Sequence, residues 1–158
     1  MADYIIRVDS SVEPSYVTDS YGTPRLIKSG KATAGWTTER KNEIMAAGLI
    51  YYDYHGPNKA MYEGVLAALS QLETEYFNPA GTDTVKVFID IELVIDQING
   101  KKNADKMAKH LDRVESFRKR HRNVSCEFLH QNEKDPKYKK VDIISKEGKD
   151  WMKKKLSS

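Results

Sequence analysis

Cysteine is almost missing from this chain. Cys126 is the only one among 158 residues, so an internal disulfide and a cysteine-based zinc site are both excluded. It lies in the alternating stretch Val124-Ser125-Cys126-Glu127-Phe128-Leu129, where a small core residue is expected and a redox role is not. Long apolar runs are missing too: nothing approaches the roughly 20 residues that a membrane-spanning helix needs. The opening Met1-Ala2-Asp3-Tyr4 lacks the basic and apolar regions of a secretory leader. A soluble, cytoplasmic or otherwise intracellular protein is expected. Net charge is small as well, +3 from 26 Lys and Arg against 23 Asp and Glu. That near balance hides a division, because residues 1–100 hold 8 basic and 14 acidic residues while residues 101–158 hold 18 and 9.

The length, at about 150 residues per domain, predicts one domain over 1–158, and its apolar content suffices for a core, which excludes wholesale disorder. Ile5 to Asp9 reads as a short strand ended by the turn chemistry of Ser10 to Pro14. Ser15 to Lys31 has no clear period and is expected to be an inserted loop or hairpin. Thr33 to Thr38 and Glu43 to Tyr52 read as two further strands joined by the polar turn Glu39-Arg40-Lys41-Asn42. From Asn58 to Tyr76 the period changes. Apolar residues at 61, 65, 66, 69 and 72 make one buried helical stripe. Thr84 to Asp90 returns to strand character, and Ile91 to Ile98 is a short helix stopped by Asn99-Gly100. Asn103 is expected to cap a helix running to about Arg120, with Met107, Leu111, Val114 and Phe117 inward. Asn123 to Leu129 is a fifth strand, and Val141 to Leu156 a final helix. The order predicts an α/β fold, a mixed five-stranded sheet flanked by helices.

Three aspartates occupy comparable places. Asp9 ends the first strand, Asp90 ends the fourth, and Asp142 opens the last helix. With strands one and four adjacent, all three can meet at one edge. Clustered carboxylates repel unless cations neutralise them, and hard oxygen donors suit Mg²⁺ or Mn²⁺. Two-metal phosphodiester hydrolysis is the chemistry such a cluster supports. An aspartate at a strand end or helix start also serves simply as a turn former or cap.

The segments Ile6-Arg7-Val8-Asp9-Ser10-Ser11, Ala60 to Leu69, Asp90-Ile91-Glu92-Leu93-Val94 through Gln97 to Asn99-Gly100, and Phe128-Leu129-His130 with Val141-Asp142-Ile143-Ile144 resemble the successive motifs of type 1 ribonuclease H. The resemblance runs from Ile5 to about Gly148, leaving out Ser15 to Lys31, and Asp90 to Gly100 is its most specific part. It implies a ribonuclease H-like sheet of three antiparallel strands followed by two parallel ones. The implied activity is metal-dependent endonucleolytic cleavage of the RNA strand of RNA/DNA hybrids, with two Mg²⁺ or Mn²⁺ ions bound alongside substrate. By that resemblance Asp9, Asp90 and Asp142 match the family's three aspartates as catalytic and metal-binding residues, and His130 matches its mobile histidine. Ser10, Ser11 and Asn58 take the places that read the hybrid in the minor groove, where 2′-hydroxyls are displayed.

The family's glutamate has no match. Counting back eight positions from Leu69 reaches Met61, with Ala60 and Tyr62 in keeping on either side. A thioether cannot hold Mg²⁺, and a methionine here fills the end of a core stripe. Glu63 is the alternative fourth carboxylate. Two residues along a helix rotate a side chain by about 200°, so Glu63 is expected to point away from Met61. Ile91 stands where the family has serine, and Asn58 alone remains of its paired asparagines.

Basic residues cluster at Arg118 to Arg122, in the loop with Lys134, Lys137, Lys139 and Lys140, and at Lys153 to Lys155. Such gathering is the footprint of phosphate binding, and Lys139 and Lys140 beside Asp142 are its best candidates. A basic helix end equally complements the helix dipole. Trp36, Tyr51, Tyr52 and Tyr54 are expected in the sheet core rather than as stacking surfaces. His55, His110 and His121 have no ligand-like spacing. Two functions remain: a ribonuclease H, reduced in activity by Met61, or a degenerate domain of that fold that binds nucleic acid or a protein partner. A proofreading exonuclease expects Asp-x-Glu on the first strand, which Asp9-Ser10-Ser11 does not supply.

Overall fold

The computed structural model describes residues 3–18, 20–22, 24–53, 57–76, 83–101, 103 and 105–131, with backbone alone at 11–18, 24–33, 49–53, 57 and 105. Three strands come first, β1 (Asp3–Thr18), β2 (Pro24–Arg40) and β3 (Glu43–Asp53). Helix α1 (Pro57–Glu75) leads to β4 (Thr84–Ile89) and the short α2 (Glu92–Ile98). A single 3₁₀ turn, Asp105–Met107, precedes α3 (Ala108–Arg120) and β5 (Ser125–His130). The strands form one sheet in the order β3-β2-β1-β4-β5. The β3–β2 and β2–β1 pairs are antiparallel, and the β1–β4 and β4–β5 pairs are parallel. This is the expected mixed sheet. The expected final helix, with Asp142, Lys139 and Lys140, lies outside the described residues.

Period-two patterning sets the sheet. Tyr4, Ile6 and Val8 of β1 and Val85, Val87 and Ile89 of β4 are buried, while Lys86 is exposed. Paired residues share a face, and Ile6 is abreast of Val87, so these six build one apolar surface. Helix α1 lies on it. A Cβ added at Gly64 would come within 2.8 Å of both Ala34 Cβ and Val8 Cγ1, so the missing side chain is what lets the helix approach. The stripe Met61, Val65, Leu69 and Leu72 is buried in the same cluster, joined by Val94, Ile95 and Ile98 of α2 and Val114 and Phe117 of α3. Each such leucine or valine contributes about 1.5 to 3 kcal/mol of burial free energy. Trp36 is also in the core, its indole N–H donating to Gln71 Oε1 at 2.9 Å.

Two local expectations need correction. Asn103 does not cap α3: the 3₁₀ turn stands between it and the helix, and the cap position belongs to Met107, which makes no side-chain cap bond. Nor does β1 stop at Asp9. It stays paired with β2 as far as Thr18, abreast of Pro24, with a register change between Glu13 and Ser15. Pro14 sits at that irregularity, where a missing N–H is tolerated. The β2–β3 turn is tight, since Arg40 pairs with Glu43 and both intervening residues, Lys41 and Asn42, have positive φ (54° and 65°). That is the backbone of a two-residue hairpin.

Candidate active site

Asp9 and Asp90 are brought abreast by strand register. The β1–β4 ladder pairs Asp3 with Thr84 and Arg7 with Phe88, and the same offset two residues on places Asp9 beside Asp90. Adjacent strands lie about 4.8 Å apart, so the two positions are neighbours just past the last parallel pair, where β4 ends and β1 continues. Asp9 is buried at 4% exposure, opposite Gly35 of β2. Asp90 is half-buried at the bend leaving β4, with α2 beginning two residues later. His130 reaches the same edge: it ends β5 abreast of Ile89 and is exposed. The next residue closes the strand ends together, as Gln131 N–H donates to Ile89 O at 2.7 Å.

Alternation puts Arg7 on the face that Asp9 shares, opposite α1. Its Nε donates to Glu39 Oε2 at 2.9 Å and its Nη1 to Gln131 Oε1 at 3.1 Å, while the guanidinium lies 4.9 Å from the Phe88 ring centroid. Both partners of the ion pair are buried. The network joins β1, β2, β4 and the end of β5 directly beneath the two aspartates. Sequence reading missed it. The one available signal was an arginine and an aspartate two apart on a strand, which share a face; nothing marked Glu39 or Gln131.

Helix α1 runs antiparallel to β1, because Gly64 meets Val8 while the Tyr76 carbonyl accepts from the Tyr4 hydroxyl at 3.3 Å. Its first turns therefore lie at the Asp9 end. One helical turn rises about 5.4 Å and one strand residue about 3.3 Å, so Met61, three residues before Gly64, stands near the level of Asp9. Met61 is 0% exposed and belongs to the core cluster. Asn58 is half-buried in the same first turn. Glu63 faces α3 instead, its Oε1 2.8 Å from His110 Nε2. Between them, Tyr62 donates to Gln97 Oε1 at 2.8 Å, and burial pushes its phenol up to about 12.

The basic end of α3 lies elsewhere. Ser125, five residues beyond Arg120, is abreast of Thr84, which is abreast of Asp3, about 20 Å from Asp9 at the strand rise. Arg118 is tied to Glu115 at 3.0 Å and lies over Phe128, and Arg120 is tied to Glu73 at 3.0 Å. The Glu73 carboxyl also meets His121. Burial raises its pKa, but the hydrogen bonds and charges of Arg120 and His121 prevail and hold it below the usual range. Burial, the largest influence on Cys126, pushes its thiol up to about 11, as suits an unreactive packing residue. Ser10 is half-buried beside Asp9; of Ser11 the backbone alone is described. Among the described residues, no three of His, Cys, Asp and Glu form a group that could hold a metal ion, and no helix is long and apolar enough to cross a membrane.

No protein-family model matches the chain, and no curated protein matches it. Solved structures do. The N-terminal RNase H domain of a Mycobacterium tuberculosis protein superposes with a TM-score of 0.72 at 15% identity, covering 99% of each chain. This chain has the ribonuclease H fold. RNase H1 from Halobacterium salinarum gives a TM-score of 0.66 at 18% identity over 94% of this chain and 98% of its own. LC11-RNase H1, solved in complex with an RNA/DNA hybrid, gives 0.64 at 16% over 87% and 92%. In the ribonuclease H fold as this chain builds it, the strand order and the crossing of α1 put Asp9, Asp90, His130 and the start of α1 at one end, and Arg118 to Arg122 at the other.

Proposed function

We propose that this chain is a metal-dependent endonuclease of ribonuclease H type that hydrolyses the RNA strand of RNA/DNA hybrids, and that 1–158 is one such domain. The observation that carries the reading is the β1–β4 register, whose last pair is Arg7 with Phe88 and whose offset, continued two residues, brings Asp9 level with Asp90, in a fold shared with an RNase H1 solved on a hybrid. Asp9 and Asp90 offer hard oxygen donors fitted to Mg²⁺ or Mn²⁺, and Asp142 is proposed as the third. The ions, when bound, supply an activated water and charge stabilisation at the leaving oxygen. The protein's part is placement. Arg7, held by Glu39 and Gln131, ties β1 to β2 and to the end of β5 two residues before Asp9. Exposed His130 is suited to move protons or assist product departure at the rim. Ser10, Ser11 and Asn58 are proposed to read the hybrid's minor groove, and Lys139 and Lys140 its phosphates.

Met61 favours a second reading. A fully buried thioether at the level of Asp9 leaves the site one carboxylate short, so a degenerate, binding-only domain is the alternative. Incubation with labelled hybrid and Mg²⁺ or Mn²⁺ separates the two. Cleavage that Asp9→Asn and Asp90→Asn each abolish supports the enzyme. Equal silence of wild type and both variants, with hybrid binding retained, supports the degenerate domain.

A further inference from the structure

Gln131 stands where three strands approach the proposed site. Its main-chain N–H donates to Ile89 O at 2.7 Å, and its side-chain Oε1 accepts from Arg7 Nη1 at 3.1 Å. Ile89 immediately precedes Asp90, Arg7 lies two residues before Asp9, and His130 immediately precedes Gln131. One residue thus holds the approach to both aspartates and adjoins the histidine. Strand register sharpens the relation. The β4–β5 ladder pairs Ile89 with His130, so the same offset one residue on brings Gln131 level with Asp90, as the β1–β4 offset brings Asp9 level with it. Asp9, Asp90 and Gln131 then form one row across β1, β4 and β5, at about 4.8 Å per step. The bond from Arg7 puts the Gln131 amide on the face opposite α1, where alternation also puts Asp9.

Backbone pairing does not itself reach the two aspartates. Among the described residues the β1–β4 ladder ends at Arg7 with Phe88, so the separation of Asp9 and Asp90 depends on what holds the chain beyond that pair. Gln131 is 1% exposed. A buried amide is disfavoured unless hydrogen-bonded, and methionine would fill the same space without that requirement. What the amide adds is direction. Its oxygen fixes one end of the Arg7 guanidinium, while Glu39 Oε2 accepts from Nε at 2.9 Å. Glu39, Arg7 and Gln131 therefore brace β2, β1 and the end of β5 against sliding, and Gln131 is the member that stands in the row of the aspartates. Cation-binding side chains need to be held to within about 0.5 Å by such hydrogen-bonded supports.

We propose that Gln131 is a positioning residue for the cation site, fixing the separation of Asp9 and Asp90 beyond the end of the β1–β4 ladder. This rests on the metal-dependent nuclease reading above. Mn²⁺ affinity is read from the electron paramagnetic resonance signal of the free ion, kcat and KM from hybrid cleavage, and stability from urea denaturation. Gln131→Met keeps the length of the side chain and the main-chain bond to Ile89 but removes the acceptor for Arg7. It is expected to weaken Mn²⁺ binding about tenfold and to lower kcat about tenfold, with KM for the hybrid within about twofold of wild type. Arg7→Met with Glu39→Leu removes the brace from its other end and should give the same loss of Mn²⁺ affinity. Gln131→Glu, which keeps an acceptor for Arg7, should return Mn²⁺ affinity and kcat to within about threefold of wild type. Glu73→Gln, a loss of stability remote from Asp9, should leave both unchanged. Wild-type Mn²⁺ affinity in Gln131→Met and in the Arg7, Glu39 double variant overturns the positioning role and leaves the nuclease reading standing. Equal losses in Gln131→Met and Glu73→Gln overturn it too, since stability alone would then set the affinity. If wild type binds Mn²⁺ without cleaving, the nuclease reading falls and the Mn²⁺ affinities alone decide the positioning role. Absence of any Mn²⁺ binding that Asp90→Asn removes overturns both.

Discussion

Glu63 Oε1 lies 2.8 Å from His110 Nε2, tying α1 to α3 on the side of the helix away from the Met61 stripe. This bond gives Glu63 a structural occupation. Glu63→Ala should therefore cost about 1 to 2 kcal/mol of stability, the worth of a half-buried charge-assisted bond, with hybrid cleavage per folded molecule unchanged. Urea denaturation and a cleavage assay check the two halves. Lost cation binding without lost stability would make Glu63 the fourth ligand instead.

Met61→Glu tests whether a fourth carboxylate at the level of Asp9 completes the proposed site. A carboxylate there is buried without a partner when no cation is present, and the unliganded variant should lose about 3 to 5 kcal/mol. Mn²⁺ should then raise its melting temperature more than it raises that of wild type, with cleavage increased. A variant whose stability ignores Mn²⁺ would show that position 61 does not face the cation.

Removing Arg7 alone takes from buried Glu39 the guanidinium 2.9 Å away. Arg7→Met should cost about 3 to 5 kcal/mol, whereas Arg7→Met with Glu39→Leu should recover most of the loss, because the desolvation of two charges is then avoided. A double-mutant cycle by urea denaturation measures the coupling, and additive losses would mean that the pair does not act as a unit.

Gly64→Ala tests the helix seat. Alanine is about 1 kcal/mol better than glycine in a helix, yet its methyl would stand 2.8 Å from both Ala34 and Val8. Overpacking costs about 1 to 3 kcal/mol, so net destabilisation is expected, read as a lower melting temperature.

Glu73 makes part of the stability pH-dependent. Its folded pKa is held below the usual 4.5 by Arg120 and His121, against the effect of burial. A depressed carboxylate adds stability that is present above 4.5 and lost as pH falls through the folded value. The melting temperature of wild type should exceed that of Glu73→Gln at pH 6, with the gap closing toward pH 3.

Local pattern made most of the fold legible. The 61, 65, 69, 72 stripe, the β-branched run of β4 and the alternation of β1 each report burial on one face, and their order leaves few topologies open. Where the reading fell short, pairing partners overrode local chemistry. Pro14 and its serines look like a strand end, but a register change absorbs the proline and the hairpin carries on. Asn103 has capping chemistry in the wrong place, four residues before Met107. The Asp9–Asp90 adjacency followed from the strand order, whereas the Arg7, Glu39 and Gln131 cluster depends on residues 32 and 124 positions away, a relation no local window contains.

The register that sets Asp9 beside Asp90 also fixes when in folding the site can exist. Those residues are separated by β2, β3 and α1, all of which must be laid down before β4 can dock against β1. Parallel pairing across so long a loop is slow, because chain entropy is spent before the contact returns anything. A chain emerging from the ribosome thus carries no adjacent pair of these carboxylates until β4, residues 84–89, has been made.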